Sequence, residues 1–82
     1  MRTKTMAVAK VLKAEGRGTW IFNDRMVDGR RSLKVWGWSL ADYEQAKTML
    51  EDWGCQVELV QALRYINRIG QKRMVTRLHV QE

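Results

Sequence analysis

Residues 18–38 read GTWIFNDRMVDGRRSLKVWGW, and the way this stretch folds decides the architecture of the chain. Two runs rich in β-branched and aromatic residues, Gly18–Val27 and Arg30–Trp38, flank Asp28-Gly29. Asp-Gly between such runs signals a two-residue type I′ hairpin, because both central residues then need positive φ. That loop sets a register in which Val27 lies opposite Arg30, Arg25 opposite Ser32, Asn23 opposite Lys34 and Ile21 opposite Trp36. One face then carries Trp20, Phe22, Met26, Leu33 and Val35 and reads as core. The other carries Ile21, Asn23, Arg25, Arg30, Lys34 and Trp36.

The hairpin runs directly into a helix. Ser39 is an N-cap, and Asp42 at N3 makes a short-armed capping box. Trp38 and Tyr43 sit at the positions of a hydrophobic staple, which favours a structural role for Trp38 over ligand contact. Leu40, Tyr43, Ala46, Met49, Leu50 and Trp53 form one apolar stripe, and Gly54 stands at C′. Glu51 and Asp52 oppose the helix dipole in the last turn, which suggests service in solubility or in pairing with a basic sheet.

On the other side of the hairpin, Met6 to Ala14 is read as a further strand reached through a turn at Glu15-Gly16-Arg17-Gly18. It alternates poorly, and a short helix is the alternative. After Gly54, a strand from about Val57 to Ile69, a turn at Gly70-Gln71 and a return over Lys72–Val80 make a second hairpin. A helix over 57–69 is the rival reading, since Leu59, Leu63 and Ile66 also fit a helical stripe. The even loop puts Val57, Leu59, Leu63 and Tyr65 on one face with Met74, Leu78 and Val80. Arg64 then opposes Arg77, and Arg68 opposes Arg73, on the other face with His79.

The expected fold is therefore α+β: a single domain over 1–82 with a flexible basic start at 1–5 and the order βββαββ. One helix packs on a mostly antiparallel sheet whose strand order is 3-2-1-4-5. A right-handed crossover would place the fourth strand beside the first and merge both basic faces. The last strand, Lys72–Gln81, would be an exposed edge through which a homodimer could form.

Charge narrows the function. The chain has 15 Lys and Arg against nine Asp and Glu, yet residues 39–58 hold five of the acids and one base, Lys47. Helix and sheet thus carry opposite signs, which presents a cationic face to an anionic partner. Like charges directly opposite on a sheet cost up to ~1 kcal/mol per pair, so stacked arginines make poor sense for stability alone. Arg25, Arg30, Lys34, Arg64, Arg68, Arg73 and Arg77 are the candidate phosphate contacts, with Trp36 as the stacking aromatic. Arginine can also read guanine through a bidentate contact. Four to six neutralised phosphates on a duplex give a log–log salt slope near −4 to −5, on the order of 0.9 per phosphate. The bland alternative is an ordinary solvated sheet face.

Catalysis finds little footing. His79 is the only histidine and Cys55 the only cysteine, and a dyad between them lacks a third orienting group. Two such ligands cannot build a structural zinc site, so no metal or other cofactor is expected. Gly16-Arg17-Gly18 lacks the Lys-Ser/Thr that a phosphate loop requires. Cys55 reads as a small buried apolar residue, and a lone cysteine suits a reducing, cytoplasmic setting. Lys10 and Lys13 interrupt the one stretch, Met6 to Ala14, that is apolar in the manner of a signal peptide, and no run is long enough to span a bilayer.

Gly18-Thr19-Trp20, then Asp28-Gly29-Arg30-Arg31, a strand, and a helix beginning after a Ser resemble the sheet-plus-helix of plant AP2-type domains and tyrosine-integrase N-terminal domains. The resemblance spans Gly18 to Leu50 and implies a sheet laid on DNA and backed by one helix. The leading expectation is a small non-enzymatic DNA- or RNA-binding protein. The alternative is a small phage-type regulatory or inhibitor protein that docks its basic face on an acidic or nucleic-acid-handling protein.

Overall fold

The computed structural model describes residues 3–65 and 70–82, with the Tyr65 side chain left aside. The chain order is α1 (Lys4–Ala14), β1 (Trp20–Arg25), β2 (Arg31–Trp36), α2 (Leu40–Asp52), β3 (Gln56–Tyr65) and β4 (Lys72–Gln81). The four strands form one antiparallel sheet in the order β1-β2-β4-β3. Val8, Ala9 and Leu12 of α1 and Tyr43, Ala46 and Leu50 of α2 share a core with Leu33, Val35, Leu78 and Val80. Both helices therefore cover the same face of the sheet. The α+β class holds, with two helices rather than one.

Four parts of the architecture differ from expectation. Residues 4–14 are helix, not strand. Thr5, Val8, Ala9 and Leu12 are buried at helical spacing, and an alanine-rich segment loses little entropy in that state. Thr3 caps α1 by accepting from Met6 N–H at 3.1 Å, and the Glu82 carboxylate takes the N–H groups of Lys4 and Thr5 at 2.9 and 3.3 Å. Lys4 and Thr5 are thus the first helical residues rather than a flexible start; Met1 and Arg2 lie outside the described residues. Gly16 is the C′ residue of α1 and not a hairpin turn. Its N–H donates to Lys13 O, and Arg17 N–H donates to Leu12 O, a Schellman motif.

The first hairpin is one residue out of the expected register. Met26 N–H donates to Arg30 O at 2.7 Å, and Gly29 N–H to Met26 O at 3.0 Å, enclosing a three-residue loop of Val27, Asp28 and Gly29. Gly29 at φ +85° supplies the left-handed position such a loop needs. Arg25 now opposes Arg31, Asn23 opposes Leu33 and Ile21 opposes Val35. A one-residue slip moves every side chain of β1 to the other face. Trp20 and Phe22 therefore leave the core for the open side, and Ile21 enters it.

The second hairpin keeps its faces but shifts by four residues. Arg64 opposes Arg73, Val60 opposes Arg77 and Tyr65 opposes Lys72. The described part of 57–69 is strand, not helix. The strand order differs as well, because β4 pairs with β2 as well as β3 and so lies inside the sheet. With α1 helical, β2 offers the free hairpin edge that β4 fills. Lys72–Gln81 is not an exposed edge; β1 and β3 are.

The α2 boundaries match their local signals. Ser39 and Asp42 form the reciprocal capping box, and Trp38 meets Tyr43 edge-on at 5.0 Å. Gly54 and Cys55 N–H close a second Schellman motif on Glu51 O and Leu50 O. Glu51 pairs with Lys47 one turn back, not with the sheet.

Candidate functional site

β2 and β4 pair only from Arg31↔Val80 to Leu33↔Leu78. Beyond that point the sheet forks, with β2 held by β1 and β4 by β3 alone. The inner edge of β2 at the fork is satisfied by a side chain from the helix layer. The Tyr43 hydroxyl accepts from Val35 N–H at 3.1 Å and donates to Val35 O at 3.2 Å. The fork leaves a cleft of about 340 Å³ bordered by Lys34, Trp36, Tyr43, Arg73 and Thr76.

Burial pushes the Tyr43 phenol above its ordinary value, opposed by the Val35 hydrogen bond and the Arg77 charge. A group whose folded pKa is raised contributes fully below its unfolded value and loses that contribution as pH climbs through the folded one. Tyr43 therefore helps the fold below about pH 10 and ceases to do so in stronger alkali. Tyr43→Phe orphans Val35 N–H and leaves Val35 O only the longer bond from Trp38 N–H at 3.4 Å, and it is expected to cost about 1–3 kcal/mol at neutral pH in urea unfolding. Its stability should also fall less steeply above pH 10 than that of the wild type.

The face away from the helices is the candidate site. Neighbouring residues on it are Trp20 and Phe22 of β1, Lys34 and Trp36 of β2, Arg73 and Arg77 of β4, and Arg64 of β3. Trp20 is 64% exposed, Trp36 45% and Phe22 38%. Trp20 stands directly across from Trp36, and its ring lies 6.3 Å from that of Phe22. The Lys34 ammonium and the Arg73 guanidinium each lie 5.2 Å from the Trp36 ring centre. Arg73 thereby bridges the fork, tying the second hairpin to the first. Arg77 donates to Ser32 Oγ at 3.3 Å, and a depression of about 470 Å³ opens between Lys34, Arg64 and Arg77.

Five of the eight expected contacts thus share this face: Lys34, Trp36, Arg64, Arg73 and Arg77. Among the described residues none of those four cations is ion-paired to a carboxylate. Arg25 has moved to the helix side, at the end of β1 opposite Arg31, because of the register slip. Arg30 lies beside the loop and is committed to acids, with Asp28 at 2.7 Å and Glu58 at 3.3 Å. The Asp28 carboxyl is held below its usual range by the Arg30 backbone N–H and then by the Arg30 side chain. Arg68 lies outside the described residues.

Sequence reasoning missed Trp20 and Phe22. The only signal for them is that Trp20-Ile21-Phe22 is apolar at both parities, so one face of β1 had to expose its apolar residues.

The remaining candidates are structural. Trp38 is buried, and its indole N–H donates to Arg17 O at 3.3 Å. Cys55 is buried, and burial raises its thiol pKa, which disfavours the reactive thiolate. Among the described residues no cluster of three His, Cys, Asp or Glu could hold a metal, and no helix is long and apolar enough to cross a membrane. No protein-family model matches the chain, and neither a curated protein nor a solved structure is found to be similar to it.

Proposed function

We propose that this protein is a non-enzymatic nucleic-acid-binding module that uses its open sheet face. The observation that carries the reading is the convergence of Lys34, Arg64, Arg73 and Arg77 around exposed Trp20, Phe22 and Trp36. Arg64 and Arg73 are directly opposed, which costs up to ~1 kcal/mol in the free protein and is relieved by a bound anion. Phosphates neutralise the cations while bases stack on the indoles, each worth ~1–3 kcal/mol. Open aromatic faces favour unpaired bases over a stacked duplex.

Fluorescence anisotropy with a labelled single-stranded oligonucleotide, titrated across salt, tests this. Three to four neutralised phosphates per chain give an expected log–log slope of about −2 to −3, shallower than seven cations would give. Affinity that is flat in salt contradicts the reading. Absence of binding to free DNA and RNA moves the face to the alternative, an acidic protein surface.

A further inference from the structure

β3 is an outer edge of the sheet and is left bare. Its ten residues pair without a break to β4, and no described strand lies on its other side. Soluble proteins blunt such edges with proline, bulges or repelling charge. Residues 56–65 contain no proline, no bulge and only two charges, Glu58 and Arg64, of opposite sign.

The stretch 57–65, VELVQALRY, has a near-palindromic pattern about Gln61. Two identical antiparallel strands related by a two-fold axis must set one residue opposite its own copy, because opposed residues share a face. With Gln61 on the axis, Glu58 meets Arg64 of the second copy, Leu59 meets Leu63 and Val60 meets Ala62, each twice. Shifting the axis to Val60 sets Leu59 against Gln61 and Glu58 against Ala62. Shifting it to Ala62 sets Leu63 against Gln61 and Arg64 against Val60. The β1 edge has no equivalent match: an axis on Phe22 opposes Trp20 to Asp24, and one on Asn23 opposes Ile21 to Arg25. The unsatisfied groups of β3 agree with the Gln61 register. Leu63 is 60% exposed, and Arg64 has no acidic partner among the described residues.

We infer that the chain forms a two-fold dimer by pairing β3 with β3 of a second copy in the register centred on Gln61, giving a continuous eight-stranded sheet. The open faces become one surface. Arg64 then meets Glu58 of the other copy, a carboxylate that also holds Arg30 of its own chain at 3.3 Å, while Lys34, Arg73 and Arg77 of both copies stay available. This assembly does not depend on what the face binds.

Sedimentation equilibrium of the full chain, free of nucleic acid, should show a concentration-dependent dimer. Arg64→Glu turns two attractive cross-strand pairs repulsive, and Glu58→Arg does the same while also giving up the pair with Arg30 within its own chain. Each should weaken the dimer roughly tenfold or more, and the double exchange should restore it to within about threefold. Register is read by oxidative cross-linking in a Cys55→Ser background. Gln61→Cys should link to itself, and Val60→Cys should link to Ala62→Cys but not to itself. A wild type that stays monomeric up to millimolar concentration overturns the inference. So do single exchanges without effect, or Val60→Cys self-linking as readily as Gln61→Cys.

Discussion

Replacing Lys34, Arg73 and Arg77 together by glutamate should lower affinity for single-stranded nucleic acid by about a thousandfold at low salt, roughly 4 kcal/mol. Three counterion-releasing contacts are lost and three repulsions are gained on the face that would carry the phosphates. The fold should suffer only modestly. Glu at 73 faces Arg64 in a cross-strand pair, so a destabilising contact becomes an attractive one. Against that gain stand the hydrogen bond from Arg77 to Ser32 and the contacts of Lys34 and Arg73 with the Trp36 ring, the latter worth about 0.5–1 kcal/mol each at an exposed site. The free protein should therefore stay folded, with a melting temperature no more than about 10 °C below that of the wild type. A matched control reverses Lys10, Lys13 and Arg25, which lie on α1 and on the helix side of β1. It makes the same change in net charge and should weaken binding only several-fold. Equal losses in the two triple variants, read by anisotropy, would mean that total charge and not the open face governs binding.

Gly18→Val should be the most damaging single substitution for stability. Gly18 has φ +80°, a conformation that costs an ordinary residue about 1–2 kcal/mol. There is also no room. A Cβ at this position would lie 2.5 Å from Val35 Cγ1 and 2.9 Å from Trp38 Cδ1 and Nε1. Both neighbours are core, and Trp38 is held by Tyr43 and by its bond to Arg17 O. Overpacking adds about 1–3 kcal/mol, for a total near 3 kcal/mol. For a domain of this size that shifts the melting temperature by roughly 12–24 °C. Gly29→Ala separates strain from crowding, because Gly29 shares the positive φ but has nothing within 4 Å of the added carbon. It should cost only the strain. Similar losses for both variants would remove the packing explanation.

What the sequence disclosed about α2 was local, and local signals are dependable. Ser39, Asp42, Trp38, Tyr43 and Gly54 act within a few residues of one another, and each has its expected geometry. α1 carried comparable signals in Thr3, Gly16 and the Thr5-Val8-Ala9-Leu12 stripe, but Lys10 and Lys13 obscured its short pattern. Register was much less legible. In β1, Trp20-Ile21-Phe22 offers apolar side chains at both parities, so only the loop decides, and Asp-Gly serves two- and three-residue loops alike. In the second hairpin a four-residue shift preserves every inward and outward assignment. The faces of Arg64, Arg73 and Arg77 were therefore readable while their partners were not. The open site was legible as a cluster of cations; its aromatic half at Trp20 and Phe22 depended on the slip.

The four tryptophans provide the most direct test of where nucleic acid binds. Trp20 and Trp36 lie on the open face, Trp38 is buried beneath the helices, and Trp53 is exposed at the end of α2. In a two-dimensional ¹H–¹⁵N titration with a short single-stranded oligonucleotide, the indole signals of Trp20 and Trp36 should shift with the backbone amides of Lys34, Arg73 and Arg77. Those of Trp38 and Trp53 should stay in place. Shifts at Trp53 and along α1 or α2, with Trp20 and Trp36 unmoved, would contradict binding at the open sheet face.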